Sequence, residues 1–102
     1  MDQREALTLA RQYAAVVAPE LRPDKIVLYG SYAKGAASDK SDIDIAVIFH
    51  GFTGDWLHVY TRLSRLRRNV SYFIEPVLLD SASDKSGFLD EVLTNGEVLS
   101  QQ

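Results

Sequence analysis

Two aspartates at the start of an apolar segment are the residues best suited to carry chemistry. Ser41, Asp42 and Asp44 lead into the apolar run 45–49. Alternate side chains of a β-strand share a face, so the two carboxylates would lie about 6–7 Å apart on one side. Mg²⁺ takes one or two protein carboxylates, together with water and substrate phosphate oxygens. The pair therefore predicts a divalent-metal site; the alternative is a solvated loop end in which Asp42 or Ser41 caps a turn.

A glycine-serine turn upstream of the aspartates could hold phosphate beside them. Gly30 and Ser31 end one apolar segment, and Lys34 and Gly35 follow shortly after. Exposed N–H groups at the start of a short helix, with a hydroxyl group, can bind an anion. Gly35 would let the loop turn back toward the aspartates, and Lys34 could reach a phosphate as a point charge. The alternatives are an ordinary turn with Ser31 as a helix N-cap, and a solvated Lys34.

A third acid, Glu75, stands in an otherwise apolar segment that continues with Pro76. A carboxylate in such a segment is paired, bound to a ligand or at a sheet edge. If this strand neighbours the one that follows Asp44, Glu75 could complete a cluster of three carboxylates. The alternative is that Pro76, which cannot donate to a β-ladder, marks an exposed edge where Glu75 faces water.

Four arginines, Arg62, Arg65, Arg67 and Arg68, crowd the end of one predicted helix. Basic residues are expected there from the helix dipole. The alternative is a local patch for an acidic partner or nucleic acid.

Hydrophobic periodicity predicts alternating helices and strands. Helices are predicted for 2–17 (closed by Pro19 and Pro23), for one turn at 31–35, for 56–68 and for 86–94; strands are predicted for 25–29, 43–49 and 70–79, with a short fourth one at 97–99. The core face of the helix at 56–68 is predicted to be Leu57, Tyr60, Leu63 and Leu66. This alternation indicates an α/β sheet with helices packed on it. Whether the first two strands are parallel stays open.

Length and composition limit the class of protein. At 102 residues and 11.4 kDa, the chain is expected to form one domain, 1–102. It has no cysteine, which excludes disulfides and thiolate metal sites. Its net charge of −3 gives no general attraction for nucleic acid. No apolar stretch approaches the roughly 20 residues that span a bilayer. A cytoplasmic protein without a membrane or direct nucleic-acid partner is expected.

The combined pattern of Gly30-Ser31, Gly35 and Ser41-Asp42-Ile43-Asp44 resembles the signature of the DNA polymerase β-like nucleotidyltransferase superfamily. This resemblance implies a small α/β domain with a mixed sheet of three to four strands. The short chain is similar to the minimal nucleotidyltransferases, which are often encoded beside a helical HEPN-domain protein as a toxin–antitoxin pair.

The resemblance also implies a mechanism. Asp42 and Asp44 would bind two Mg²⁺ ions, and Gly30 and Ser31 would hold the phosphates of a nucleoside triphosphate such as ATP. Glu75 would be the third carboxylate, which binds a metal or accepts the proton of the attacking hydroxyl. AMP would be transferred to an acceptor, with release of pyrophosphate.

Two departures from the family pattern bear on the site. The third carboxylate is usually aspartate, whereas Glu75 is longer by a methylene group. Lys34 stands where many minimal members carry arginine, so bidentate phosphate binding is lost there.

The resemblance leaves the acceptor open. The chain lacks the appended domain that positions acceptors in larger members, so a partner or a homo-oligomer would supply that surface. The first hypothesis is transfer to a tyrosine of a HEPN-domain toxin. The alternatives are a non-catalytic module that neutralises a partner by binding, and an adenylyltransferase acting on small molecules of the aminoglycoside kind.

Overall fold

The computed structural model describes residues 1–38 and 41–102. Its helices are α1 (Gln3–Leu21), α2 (Ser31–Lys34), α3 (Trp56–Leu66) and α4 (Phe88–Asn95), with a 3₁₀ turn at Arg67–Asn69, and its strands are β1 (Lys25–Tyr29), β2 (Ile43–Phe49), β3 (Ile74–Asp80) and β4 (Glu97–Gln101). Within these described ranges, no helix has the length and apolar character that crossing a membrane requires.

The four strands form one mixed sheet in the order β3-β2-β1-β4. β1 pairs antiparallel with both β2 and β4, whereas β2 and β3 are parallel. The predicted α/β class with a mixed sheet is confirmed. The open question about β1 and β2 is also answered, because their register pairs them as antiparallel neighbours.

Helices cover both faces of the sheet. On one face α1 and α3 pack over Ile26, Ile45 and Val47, and on the other α4 packs over Val27, Ala46 and Ile48. β2 is therefore buried on both sides, as its continuous apolar run predicts.

α1 begins as predicted but ends later. The Asp2 carboxylate caps it by accepting a hydrogen bond from the Glu5 N–H (2.8 Å). The prediction that Pro19 closes the helix is wrong, because α1 includes Pro19 and continues to Leu21. A proline in the last turn removes only its own N–H bond, so the next two residues can stay helical. Arg22, in the left-handed conformation, then ends the helix.

α3 is rotated relative to its predicted orientation. Val59 and Leu63 are its buried residues and Leu66 packs partly against the core. Leu57 is 72% exposed and Tyr60 44% exposed, so the prediction that these two belong to the core face is wrong. Leu57 and Tyr60 instead line an open groove beside β3.

β3 starts at Ile74, four residues later than predicted, because Val70 and Ser71 donate backbone hydrogen bonds to Arg67 O in a turn (2.9 and 2.8 Å). Pro76 does not interrupt this strand. β3 pairs with β2 through its whole length and lies at the edge of the sheet, the position expected for a strand that contains proline.

Candidate functional site

Gly30 joins β1 to α2 and touches the candidate metal site directly. Its φ of +74° lies in the region that favours glycine, and a Cβ placed on it would come within 2.2 Å of Asp44 Oδ2. The preceding residue, Tyr29, is the cross-strand partner of Asp44 in the β1–β2 ladder. The backbone of the glycine-serine turn therefore lies against the second aspartate, as the sequence pattern requires.

α2 is a single helical turn held from both sides. Its buried Tyr32 anchors it in the core, and Gln3 Nε2 of α1 donates a hydrogen bond to Tyr32 O (2.7 Å). Gly35 ends the turn in the left-handed conformation, which confirms the predicted sharp reversal. Ser31 is the first helical residue, and the cap position is occupied by Gly30 without a side-chain hydrogen bond, so the expectation of Ser31 as the N-cap is wrong.

Asp42 immediately precedes β2, and Asp44 is the second residue of that strand. Ile43 and Ile45 are fully buried among α1 and α3, so alternation places Asp42 and Asp44 on the other face. Asp42 is exposed and Asp44 is partly buried. The strand therefore presents one carboxylate to solvent and holds the other against the sheet.

Glu75 is brought to the same place by the parallel pairing of β2 and β3. Asp44 and Glu75 are register partners, so their side chains are neighbours on one face of the sheet. Glu75 is about half exposed, and its Oε1 lies 3.5 Å from Arg67 Nη1. Glu75 therefore neighbours Asp44 and at the same time lies on an edge strand in contact with water.

The acids repel one another. Burial, then the charges of Asp42 and Glu75, raise the pKa of Asp44 above its usual range. The same causes act on Tyr29, whose pKa is raised to about 12 by burial, Asp44 and Glu75. Negative charge concentrated in this way favours a hard divalent cation, which would offset it.

The protein itself does not enclose a metal ion. Among residues 1–38 and 41–102, no three acidic or histidine side chains converge closely enough to hold one. A cation here would take part of its ligands from water or phosphate oxygens, which is the usual mode for Mg²⁺.

The remaining predicted phosphate ligands have partners inside the protein. Lys34 Nζ lies 3.5 Å from Glu91 Oε1 of α4, and both side chains are about half exposed. Ser41 Oγ accepts a hydrogen bond from the Ser38 N–H (2.9 Å) and so helps to shape the loop before Asp42. Contact between Lys34 and a phosphate would exchange one anionic partner for another.

Sequence reasoning did not place Arg67 beside the acids and did not mention Glu91. Arg67 belongs to the predicted arginine cluster, but its guanidinium is directed at β3. Arg62 of the same cluster is paired with Glu20 of α1. The sequence showed that position 67 carries a positive charge. Which carboxylate that charge meets depends on the path of the chain after α3, which the sequence did not predict.

Comparison with known proteins identifies a family. The sequence model described as "Polymerase beta, Nucleotidyltransferase" matches residues 12–102. A search of curated proteins found no match.

Solved structures share the fold. A structure described as a nucleotidyltransferase from Sulfolobus solfataricus is 24% identical, with a TM-score of 0.69 over 98% of this chain and 84% of that one. A toxin–antitoxin structure with AMP-PNP is 24% identical, with a TM-score of 0.55 over 100% of this chain and 75% of that one. A tri-AMPylated Shewanella oneidensis HEPN toxin in complex with an MNT antitoxin gives 24% identity and a TM-score of 0.53, over 98% of this chain and 70% of that one.

Proposed function

Since this chain belongs to the polymerase beta nucleotidyltransferase family, we propose that it transfers AMP from ATP to a hydroxyl group of another protein. The acceptor in this proposal is a tyrosine of a HEPN-domain toxin, so the protein acts in the cytoplasm as the antitoxin of a toxin–antitoxin pair. Residues 1–102 would form a single nucleotidyltransferase domain.

The observation that carries the proposal is the placement of the acids. Asp44 and Glu75 are neighbours on one face of the sheet, Asp42 immediately precedes β2, and Asp44 lies against the Gly30 turn. A triphosphate held at the turn would therefore have its α-phosphate beside the carboxylates. When bound there, two Mg²⁺ ions would neutralise phosphate charge and stabilise the attacking and leaving oxygens.

The residues of the chain would position the reactants. Gly30 and Ser31 would direct backbone N–H groups and a hydroxyl at the β- and γ-phosphates, and Lys34 would leave Glu91 to contact them. The acceptor oxygen forms a bond to the α-phosphorus while the bond to the bridging oxygen breaks and pyrophosphate leaves. The proton of the attacking hydroxyl would pass to Glu75 or, where Glu75 holds a metal ion, to water.

A protein acceptor is supported by the exposure of the site. Asp42 and Glu75 are open to solvent, so a tyrosine on the surface of a partner can reach them. Structural neighbours of this chain include complexes described with a nucleotide analogue and with an AMPylated HEPN toxin.

The direct test is to incubate the purified chain with α-labelled ATP, Mg²⁺ and the HEPN-domain protein encoded beside it. We expect label on a partner tyrosine, with EDTA preventing it. Asp42→Asn and Asp44→Asn should abolish labelling, whereas Asp24→Asn, an exposed acid at the other end of the sheet, should leave it unchanged.

Two results would contradict the proposal. The wild-type chain could fail to label the partner while the double Asp42/Asp44 variant still suppresses the toxin. In that case the protein acts by binding alone. If ATP turnover is instead stimulated by an aminoglycoside without a protein partner, the acceptor is a small molecule.

A further inference from the structure

Arg67 reaches across the free edge of β3 to the candidate third carboxylate. Its Nη1 donates a hydrogen bond to Ile74 O (2.8 Å) and lies 3.5 Å from Glu75 Oε1. The arginine side chain is 27% exposed and the glutamate side chain 50% exposed. The arginine is therefore the more buried of the two side chains.

The hydrogen bond to Ile74 follows from the ladder. Ile43 N–H donates to Phe73 O (2.7 Å), and Ile43 is the register partner of Ile74. In a parallel ladder alternate residues bond to the same neighbour, so the backbone groups of Ile74 and Pro76 point away from β2. Proline has no N–H to satisfy there, and Arg67 donates to the Ile74 carbonyl, which β2 does not bind.

Arg67 is itself held in place. Its carbonyl accepts hydrogen bonds from the backbone N–H groups of Val70 and Ser71, in the turn after α3. Its charge lies near the buried Tyr13, whose hydroxyl donates to Leu63 O (2.8 Å). The backbone of Arg67 is thus fixed by the turn after α3, and its guanidinium is bound at the edge of β3.

Glu75 has no comparable support from its own strand. It is half exposed, its side chain has several rotatable bonds, and its register partner Asp44 repels it. A contact with one oxygen restricts the carboxylate and leaves Oε2 available to a ligand. Such support of a ligating side chain by a second residue commonly determines its orientation.

We propose that Arg67 is a positioning residue that holds the Glu75 carboxylate beside Asp44 for the transfer reaction. This inference rests on the proposed nucleotidyltransferase function. The competing explanation is that Arg67 only covers the Ile74 carbonyl and stabilises the sheet edge.

The test compares Arg67→Met, Arg67→Lys and the matched control Arg68→Met, an exposed neighbour on the same turn, each alone and with Glu75→Gln. We expect Arg67→Met to lower kcat about 10-fold with little change in the KM for ATP. Arg67→Lys keeps the positive charge but cannot contact both Ile74 O and Glu75 Oε1, so its kcat should lie between those of wild type and Arg67→Met. Once Glu75 is glutamine, Arg67→Met should cost no further activity.

A second readout does not depend on transfer. Mn²⁺ binding in the presence of AMP-PNP, followed by electron paramagnetic resonance, should weaken several-fold in Arg67→Met, as in Glu75→Gln, and be unchanged in Arg68→Met. Thermal unfolding of each variant identifies any that fail to fold. If Arg67→Met does not fold, Arg67→Lys is compared with wild type and Arg68→Met instead.

Three results would overturn the positioning role. Arg67→Met could reduce kcat equally with and without Glu75→Gln, which is the result for a purely structural edge contact. Mn²⁺ affinity could be the same in Arg67→Met and Arg68→Met. Mn²⁺ could also bind more tightly in Arg67→Met, which would mean that Arg67 competes with the metal for the carboxylate. If wild type and Arg68→Met both fail to transfer AMP, the proposed function is wrong, and the Mn²⁺ comparison still decides the role of Arg67.

Discussion

At the scale of single residues, Gly30 and Asp44 depend on each other through a short approach between backbone and carboxylate. A Cβ at Gly30 would lie 2.2 Å from Asp44 Oδ2. Asp44 is also the acid whose pKa is raised by burial and by its two acidic neighbours. Substitutions at these two positions therefore separate steric from electrostatic requirements of the site.

Gly30→Ala should lower stability and eliminate transfer, because the new methyl group displaces the Asp44 carboxylate. Gly51→Ala is the matched control: its φ of +68° imposes a similar backbone penalty, but nothing lies within 4 Å of its Cβ. That penalty is about 1–2 kcal/mol. Chemical denaturation and the AMP-transfer assay measure both effects. Normal transfer by Gly30→Ala would show that the close approach to Asp44 is not needed.

Asp44→Asn should raise the melting temperature of the metal-free protein at neutral pH while eliminating transfer. A carboxyl group whose pKa is raised on folding costs stability as pH rises through its usual value of 3.8 toward its folded value. Asparagine removes that cost, so the gain should be present at pH 7 and vanish below pH 3.8. Thermal unfolding in EDTA at both pH values, with Asp24→Asn as the control, measures it. A lower melting temperature at pH 7 would contradict this account of Asp44.

At the scale of elements, the apolar pattern of α3 predicted the wrong side of the helix as its buried face. Apolar residues occur on two sides of this helix, and only the side with Val59 and Leu63 meets the core. Trp56, at the start of the helix, is 38% exposed and stacks on Phe52, with ring centroids 4.4 Å apart. The packing against α1 and the sheet selected one apolar side over the other.

Leu63→Ala should therefore destabilise the protein by about 2–5 kcal/mol, as expected for a fully buried leucine. Leu57→Ala, in the same helix but 72% exposed, should change stability by no more than about 0.5 kcal/mol. Urea denaturation monitored by circular dichroism compares the pair. Equal losses for the two variants would mean that Leu57 is buried in solution.

At the scale of the whole molecule, the free energy of unfolding should depend on a carboxylate far from the site along β3. Asp80 ends this strand and binds the loop after β2: its oxygens accept hydrogen bonds from the N–H groups of Ala82 (2.9 Å), Gly51 (2.8 Å) and Phe52 (2.9 Å). These bonds, that of Ala82 foremost, hold the pKa of Asp80 below its usual range. They join the two parallel strands at the end opposite the acids.

Asp80→Asn should lower the melting temperature at pH 7. A carboxyl group with a lowered pKa contributes stability above its unfolded value of 3.8, and that contribution is lost as pH falls through the folded value. The difference from wild type should therefore shrink below pH 3.8, opposite in sign to the effect of Asp44→Asn. Melting curves from pH 2 to 7 measure it. A constant difference at all pH values would mean that the charge of Asp80 is not involved.

Local sequence was sufficient for the parts of the protein that depend on neighbouring residues. The alternation of Asp42 and Asp44 on one face follows from strand geometry, and the turn at Gly30 and Gly35 follows from the conformational freedom of glycine. The order of helices and strands follows from hydrophobic periodicity.

The tertiary structure decided which distant segments meet. Parallel pairing of β2 with β3 makes Glu75 the neighbour of Asp44, although 31 positions separate them in the sequence. The turn after α3 directs Arg67 to that glutamate, and α4 brings Glu91 to Lys34. Strand register and helix rotation depend on the joint burial of residues from the whole chain. By itself, the sequence determined the two aspartates and the glycine turn, whereas only packing decided what surrounds them.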